Sequence, residues 1–316
     1  MSEVISSHPL IELRNLRRYF GRTKAVDDVT FQVQRGHVFG YIGPNGAGKT
    51  TSMRILATLD APTAGDAFVD GFSVIEDPDR VRRRLGFMPD YFGTYPNVNV
   101  QEYLDFFARS YGLMGAERLR ALRYVMSFTK LDSLAEKPIS GLSKGMKQRL
   151  CLGRTMIHDP AVMVLDEPAA GLDPRARIQL REMIGQLAAD GKAILISSHI
   201  LTELAEMCDT VAIIEQGRLL AVGSVDEIHL THQSERLVQV TILGGAAGLG
   251  AWLEQRSMRG IETDGDVVRF RHDGSADDEA ELLREMVLAG FRVVAFGSQS
   301  KTLEEVFMQV TEGLVQ

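Results

Sequence analysis

Residues 43–50 read Gly-Pro-Asn-Gly-Ala-Gly-Lys-Thr, a G-x-x-x-x-G-K-[ST] pattern that narrows the possible folds more sharply than any other stretch of the chain. It follows a short apolar run, residues 37–42, and opens a proline-free stretch from Lys49 to Leu59 rich in helix formers. A strand, a glycine-rich loop and a helix in that order form a phosphate cradle. Gly43, Gly46 and Gly48, with Pro44, Asn45 and Ala47 between them, let the backbone curl so that successive N–H groups converge. The helix behind the loop adds the partial positive charge of its N-terminus. Lys49 is expected to reach the β- and γ-phosphates, the Thr50 hydroxyl to ligate Mg²⁺, and Thr51 to border the same site. This spacing predicts binding of a nucleoside triphosphate.

The 316 residues leave room for about two domains. Hydrophobic residues make up 45% and charged residues 24%, the balance of an ordinary globular protein with a sizeable core. A net charge of −7 argues against a nucleic-acid-binding surface over the whole molecule, and no nucleic-acid partner is expected. Cys151 and Cys208 fit no metal spacing; their apolar contexts predict buried small hydrophobes in a reducing compartment. The first residues have neither the basic start nor the apolar run of a signal peptide. The longest uncharged stretch, residues 237–253, is too short to span a membrane and contains four glycines. A cytoplasmic location follows as the expectation.

Up to about residue 225, short β-favouring runs alternate with amphipathic patterns, the signature of an α/β domain around a largely parallel sheet. Early strands are expected at Leu10–Leu16 and Val29–Val33, and buried ones at Ala161–Leu165, Ala193–Ile196 and Val211–Ile214. Residues 99–158 read as almost wholly helical. Val100, Tyr103, Leu104, Phe107 and Tyr111 mark one apolar face, and Leu119, Leu122, Val125 and Met126 a second. The character changes after Gly223. Three β-like runs (Leu237–Ile242, Val267–Arg271 and Phe291–Phe296) are separated by helical stretches near 246–257 and 276–289. A last helix carries Leu303, Val306, Phe307 and Val310. The expected organisation is a nucleotide-binding domain over 1–229, with a helical subdomain near 90–158, and a small α+β accessory or regulatory domain over 230–316.

A phosphate loop alone leaves the class of protein open. Residues 162–166, Val-Met-Val-Leu-Asp, form an apolar run ending in a carboxylate, followed at once by Glu167. A buried strand delivers Asp166 to the C-terminal edge of the sheet, where it can hold Mg²⁺ directly or through water. Glu167 is then placed to act as general base on an attacking water. Ser198-His199 ends the next strand, from where the imidazole can donate to the γ-phosphate and orient the water.

Residues 140–149, Ser-Gly-Leu-Ser-Lys-Gly-Met-Lys-Gln-Arg, resemble the Leu-Ser-Gly-Gly-Gln signature of ATP-binding-cassette (ABC) ATPases. Ala169-Ala-Gly-Leu-Asp173-Pro resembles the D-loop of that family and Ser198-His199 its H-loop. Phe20 matches the aromatic residue that stacks on adenine. The resemblance covers residues 10–225. It implies a P-loop NTPase core with a largely parallel sheet, an antiparallel β subdomain and a helical subdomain. It also implies that ATP is sandwiched between the Lys49 loop of one subunit and the signature of another, Ser143, Lys144, Gly145 and Met146, with Asp173 at the seam. The working unit implied is a homodimer or a pair with a sister ATPase subunit.

Two positions depart from the family pattern. Asp90 stands where the family has Gln; it can still reach Mg²⁺ through water, but it cannot donate as an amide does. Lys144 and Met146 replace a Gly and the closing Gln of the signature, while Ser143 and Gly145 are kept. Lys144 either adds charge near the nucleotide or is simply solvated.

The resemblance points to the ATP-hydrolysing subunit of a transporter whose membrane-spanning permease subunits are separate chains, on the cytoplasmic face of a membrane. The Leu-Ser-Lys-Gly-Met signature and a C-terminal appendage ending in Thr302-Leu-Glu-Glu-Val-Phe307 look most like the export branch that pairs with ABC-2-type permeases. The aromatic-rich residues 91–98 fall where the family receives its membrane partner. The competing reading is a soluble ABC ATPase acting on ribosomes or nucleic-acid machinery. A single cassette with no long coiled coil weighs against it.

Overall fold

The computed structural model describes residues 8–91, 93, 97–200, 204–224, 227–228 and 236–299. The chain divides after residue 225 into two compact units. The first begins with β1 (Ile11–Phe20), β2 (Thr23–Val33) and β3 (Val38–Ile42), then α1 (Lys49–Leu56), β4 (Ala64–Val69), β5 (Phe72–Ser73), α2 (Pro78–Arg84) and β6 (Leu85–Met88). Three helices follow: α3 (Val100–Ser110), α4 (Gly115–Phe128) and α5 (Lys144–Met156). The unit closes with β7 (Val162–Leu165), α6 (Pro174–Ala189), β8 (Ala193–Ser198), β9 (Thr210–Glu215) and β10 (Arg218–Gly223).

Two sheets result. The larger has the order β10-β9-β3-β8-β7-β6 and is parallel except for β10, which pairs antiparallel with β9. Residues Val162–Leu165 and Ala193–Ser198 are buried at every position. This explains why these segments read as unbroken apolar runs: strands covered on both faces need no polar side. The smaller sheet, β2-β1-β4-β5, is antiparallel. In β2, Val29, Phe31 and Val33 are buried while Asp28, Thr30 and Gln32 face water, the alternation of a half-covered strand. Phe31 stacks on Phe39 of β3 at 4.7 Å and tilts against Tyr41 at 5.5 Å. These rings join both sheets to Met53 and Leu56 of α1 in one core.

The hairpin strands are longer than their apolar runs, because polar residues such as Thr23, opposite Phe20, extend the ladder through backbone pairing alone. Helix α1 stops at Leu56 rather than Leu59; Thr58 adopts a left-handed backbone (φ 58°) that a helix cannot continue through. The region expected to be almost wholly helical contains three helices, α3 packed on α4 and α5, but residues 129–143 form turns and two short 3-10 segments. Asn99 and Glu102 form a reciprocal capping box at the start of α3. Two expected core positions are corrected. Leu119 is 53% exposed, and Tyr111 is 43% exposed because it lies at the C-terminal cap of α3. Cys151 is buried and Cys208 half-buried; burial pushes both thiols up, Cys151 to about 11.

The second unit contains β11 (Arg236–Ile242), α7 (Ala247–Glu254), β12 (Arg259–Asp264), β13 (Val267–His272), α8 (Ala276–Leu288) and β14 (Val293–Gln299). Its antiparallel sheet runs β12-β13-β11-β14. Val238, Val240 and Ile242 alternate inward and meet Phe270, Leu249, Leu253 and Met286 in a separate core. Strand β12 has no counterpart among the expected runs. It is an edge strand with nearly every side chain in water, so it carries no apolar period. The helix expected to carry Leu303, Val306, Phe307 and Val310, and much of the 91–98 segment, lie outside the described residues.

The Tyr111 ring lies flat on the His158 imidazole, 3.7 Å between centroids. His158 Nε2 bonds the Leu85 carbonyl at 3.2 Å, and its buried Nδ1 has no partner among the described residues. Burial therefore favours the neutral ring and pushes its pKa down to about 4. A group depressed on folding contributes stability that is intact above its unfolded value near 6.5 and is lost as pH falls toward 4. We expect His158→Gln to weaken the drop in urea midpoint between pH 7 and pH 4.5, a difference of at most about 3 kcal/mol.

Candidate functional site

The phosphate loop leaves β3 at a turn with no space for a side chain. A Cβ on Gly43 would lie 2.1 Å from the Ile214 carbonyl oxygen. One on Gly48, whose φ is 106°, would lie 2.2 Å from that of Ala25. The loop is pinned from outside as well: the Gly217 N–H donates to Ala47 O at 2.9 Å, and the Asp27 N–H to Gly217 O at 2.8 Å. The Asp27 carboxylate gathers the Tyr19 hydroxyl (2.6 Å), the Arg218 guanidinium (2.7 and 2.9 Å) and the Lys24 ammonium (3.3 Å). These donors, the Tyr19 hydroxyl foremost, hold its carboxyl far below the usual carboxylate range. The clasp links the β1–β2 hairpin to the turn that backs the loop.

Lys49 opens α1 and is buried. Its ammonium curls over its own loop, donating to the carbonyls of Gly43 (2.6 Å) and Pro44 (3.1 Å). Burial lowers its pKa, and the nearby carboxylates of Glu167 and Asp166 work in the opposite direction. Glu167 Oε1 lies 3.8 Å from the ammonium.

Four parallel strands bring the remaining groups to the same edge. Asp166 follows β7, and its N–H donates to Met88 O at the end of β6 (2.8 Å), drawing Asp90 into the same cleft. The Asp166 carboxylate is buried and accepts two hydroxyls: Thr50 on Oδ2 at 2.8 Å and Ser197 on Oδ1 at 2.5 Å. Glu167 adopts a left-handed backbone (φ 49°), a conformation that costs about 1–3 kcal/mol for a residue with a side chain. That backbone sets its carboxylate between Lys49 and His199, whose Nδ1 is 2.9 Å from Oε2. Ser197 is a member of this group that the sequence reading did not name; a hydroxyl at the end of a buried apolar strand was the available signal.

A cleft of about 190 Å³ lies against these groups, lined by Asn45 through Thr51, Asp90 and Glu167. It is smaller than a pocket that buries a whole nucleotide, roughly 300–1,000 Å³. Hard oxygen ligands at Thr50 and Asp166 fit Mg²⁺ better than a softer metal. Among the described residues no cluster of three or more His, Cys, Asp or Glu side chains could hold a metal alone. A Mg²⁺ ion placed there would need phosphate oxygens and water to complete its shell.

The other expected site residues stand apart from the cleft lining. Phe20 is half-exposed, with the Arg18 guanidinium 4.3 Å from its ring centroid. Ser143 caps α5, accepting the Met146 N–H at 3.3 Å, and Asp173 caps α6, accepting the Ala176 N–H at 2.9 Å. Gly145 brings the two helix starts together: a Cβ there would meet Ala176 Cβ at 3.1 Å. Lys144 is exposed, with its ammonium against Gly171 of the loop before Asp173.

The ABC transporter family model matches residues 26–170. Nod factor export ATP-binding protein I of Ralstonia nicotianae is 38% identical over 229 residues, 72% of this chain and 71% of that protein. The chain belongs to the ABC transporter ATP-binding family. Residues 223–311 match the C-terminal domain of DrrA1-3-like ATP-binding proteins. Linearmycin resistance ATP-binding protein LnrL of Bacillus subtilis aligns over 96% of this chain and 98% of its own length at 26% identity. A solved ATP-binding subunit of an ABC transporter superimposes with a TM-score of 0.64 at 32% identity, covering 70% of this chain and 92% of the other. This ABC protein is therefore an ATP-binding and ATP-hydrolysing transporter subunit.

Gly48→Ala should abolish binding of a fluorescent ATP analogue, since the added methyl group meets the Ala25 carbonyl within the loop. The variant should also lose about 1–3 kcal/mol of stability from backbone strain, read by urea unfolding.

Proposed function

We propose that this chain energises export through separate permease subunits, docked at the cytoplasmic face of a membrane and working as an ATP-closed dimer. Among the described residues no helix is long and apolar enough to cross a membrane. The export assignment draws on the similarity to the Nod factor export and linearmycin resistance proteins and on the appended C-terminal domain. The carrying observation is the division of the expected site residues. Lys49, Thr50 and Glu167 gather at one cleft, while Ser143, Gly145 and Asp173 sit at exposed helix starts outside its lining. A second copy or sister subunit supplying its own Ser143 would complete the site.

Within this reading Lys49 and the N–H groups of residues 46–50 hold the phosphates, and the α1 N-terminus adds its dipole. Thr50 and Asp166 would hold Mg²⁺, with Asp90 reaching it through water, and the ion would supply charge neutralisation at the phosphates. Glu167 takes the proton of the attacking water. His199 Nδ1 lies within hydrogen-bond reach of the Glu167 carboxylate, and the imidazole's N–H is the donor assigned to the γ-phosphate when ATP is bound. Phe20 stacks on the base. The C-terminal unit serves as an accessory domain that regulates the subunit or strengthens dimerisation.

Glu167→Gln should keep ATP binding, lower turnover by about 10²-fold or more, and accumulate an ATP-bound dimer on size-exclusion chromatography. A monomeric, fully active variant would overturn both the base assignment and the sandwich. Lys49→Ala should instead weaken ATP binding itself. Recovery of the ATPase with ribosomes rather than with a membrane protein would favour a non-transport role.

A further inference from the structure

Ser197 is the penultimate residue of β8 and has no exposed surface. Its hydroxyl donates its proton to Asp166 Oδ1 at 2.5 Å, while its oxygen accepts the Glu167 N–H at 2.9 Å. One small group thus ties together two consecutive residues with different chemical tasks. We propose that Ser197 is a positioning residue for ATP hydrolysis, holding the metal-binding carboxylate and the base in register with each other. The inference rests on the ATPase reading of the site.

The geometry limits what else could serve. Asp166 carries a donor on each carboxylate oxygen, Ser197 on Oδ1 and Thr50 on Oδ2, so its rotation is fixed from both sides. With the Ser197 hydroxyl removed, Oδ1 loses that donor inside the protein and the carboxylate is free to turn away from Thr50. Glu167 depends on the same hydroxyl through its backbone. A left-handed non-glycine residue persists only where its surroundings over-determine it. Here the restraints are the Glu167 N–H on Ser197 and the Glu167 carbonyl accepting the Ala170 N–H at 3.1 Å. Releasing the first permits relaxation that swings the carboxylate away from Lys49 and His199.

Rigidity favours the role. Strand β8 lies between β3 and β7, paired in parallel with both, so Ser197 is held by the same sheet that carries the phosphate loop and Asp166. Alanine cannot make either bond, and asparagine is too large for a position with no free surface. Threonine retains both the proton and the acceptor lone pairs.

The test compares Ser197→Ala and Ser197→Thr in the full chain. For Ser197→Ala, kcat for ATP hydrolysis should fall about tenfold or more while KM for ATP shifts less than about threefold, the pattern of a misplaced reacting group. Ser197→Thr should restore most of kcat. Independently of turnover, Mn²⁺ affinity measured by electron paramagnetic resonance with a non-hydrolysable ATP analogue should fall in the Ala variant and recover in the Thr variant. If Ser197→Ala does not fold, Ser197→Cys, a near-isostere with a weak donor, should show the same split. Wild-type kcat together with wild-type Mn²⁺ affinity in a folded Ala or Cys variant overturns the positioning role while leaving the ATPase reading intact. A wild-type chain that binds no ATP overturns that reading, and this inference with it.

Discussion

The register of four parallel strands governs the chemistry of the first unit. Strand β8 sits between β3 and β7 with Ile42 opposite Ser198 and Leu165 opposite Ile196, and β6 continues the row with Met88 opposite Leu165. All four therefore end at one edge, and each hands over its functional group within a residue or two of its last pairing. A slip of one residue in β8 would turn Ser197 away from Asp166, because side chains alternate between faces. A slip of two would carry it about 7 Å along the strand. Both faces of β7 and β8 are buried, so every side chain of each strand has a packing reason to stay in place.

Charge within this region is balanced by the chain's own groups. A buried ammonium without partners would be costly, and Lys49 avoids that cost through two loop carbonyls and the adjacent carboxylates. The same contacts hold the side chain over the place where phosphates are expected. Asp166 is treated alike, with a hydroxyl on each oxygen. Outside the loop, the Asp27 clasp ties the hairpin bearing Tyr19 and Phe20 to the Gly217 turn, which in turn bonds Ala47. The β1–β2 hairpin and the phosphate loop are thus joined by a chain of hydrogen bonds.

The groups that stand apart from the cleft share one construction. Ser143 and Asp173 each begin a helix and use the side chain as its cap. Each cap therefore both stabilises its helix in the single chain and lies where a helix dipole favours negative charge. Gly145, without a side chain, lets the two helix starts pack against each other.

The strand–loop–helix at 37–59, the carboxylate pair after β7 and the helical stretch at 99–158 were legible because each rests on local rules: glycine conformational freedom, burial on both faces of a parallel strand, and a 3.6-residue apolar period. Family membership was legible for a similar reason, since its motifs are short and keep their order. Other features left no local trace. Edge strand β12 has no buried face to impose a period, and Tyr111 departs from its helical stripe because a stacked imidazole takes its ring at the end of α3. Ser197 left no signal that set it apart from its neighbour Ser198; only the sheet, by placing β8 between β3 and β7, determined which hydroxyl meets Asp166. The left-handed backbone of Glu167 and the clasp at Asp27 belong to the same class. The sequence by itself determined which chemical groups the chain carries and in what order, because those depend on neighbours in the chain. Tertiary structure alone decided which distant groups touch, because contacts such as Ser197–Asp166 and Arg218–Asp27 join residues 31 and 191 positions apart, and no local preference encodes such a pairing.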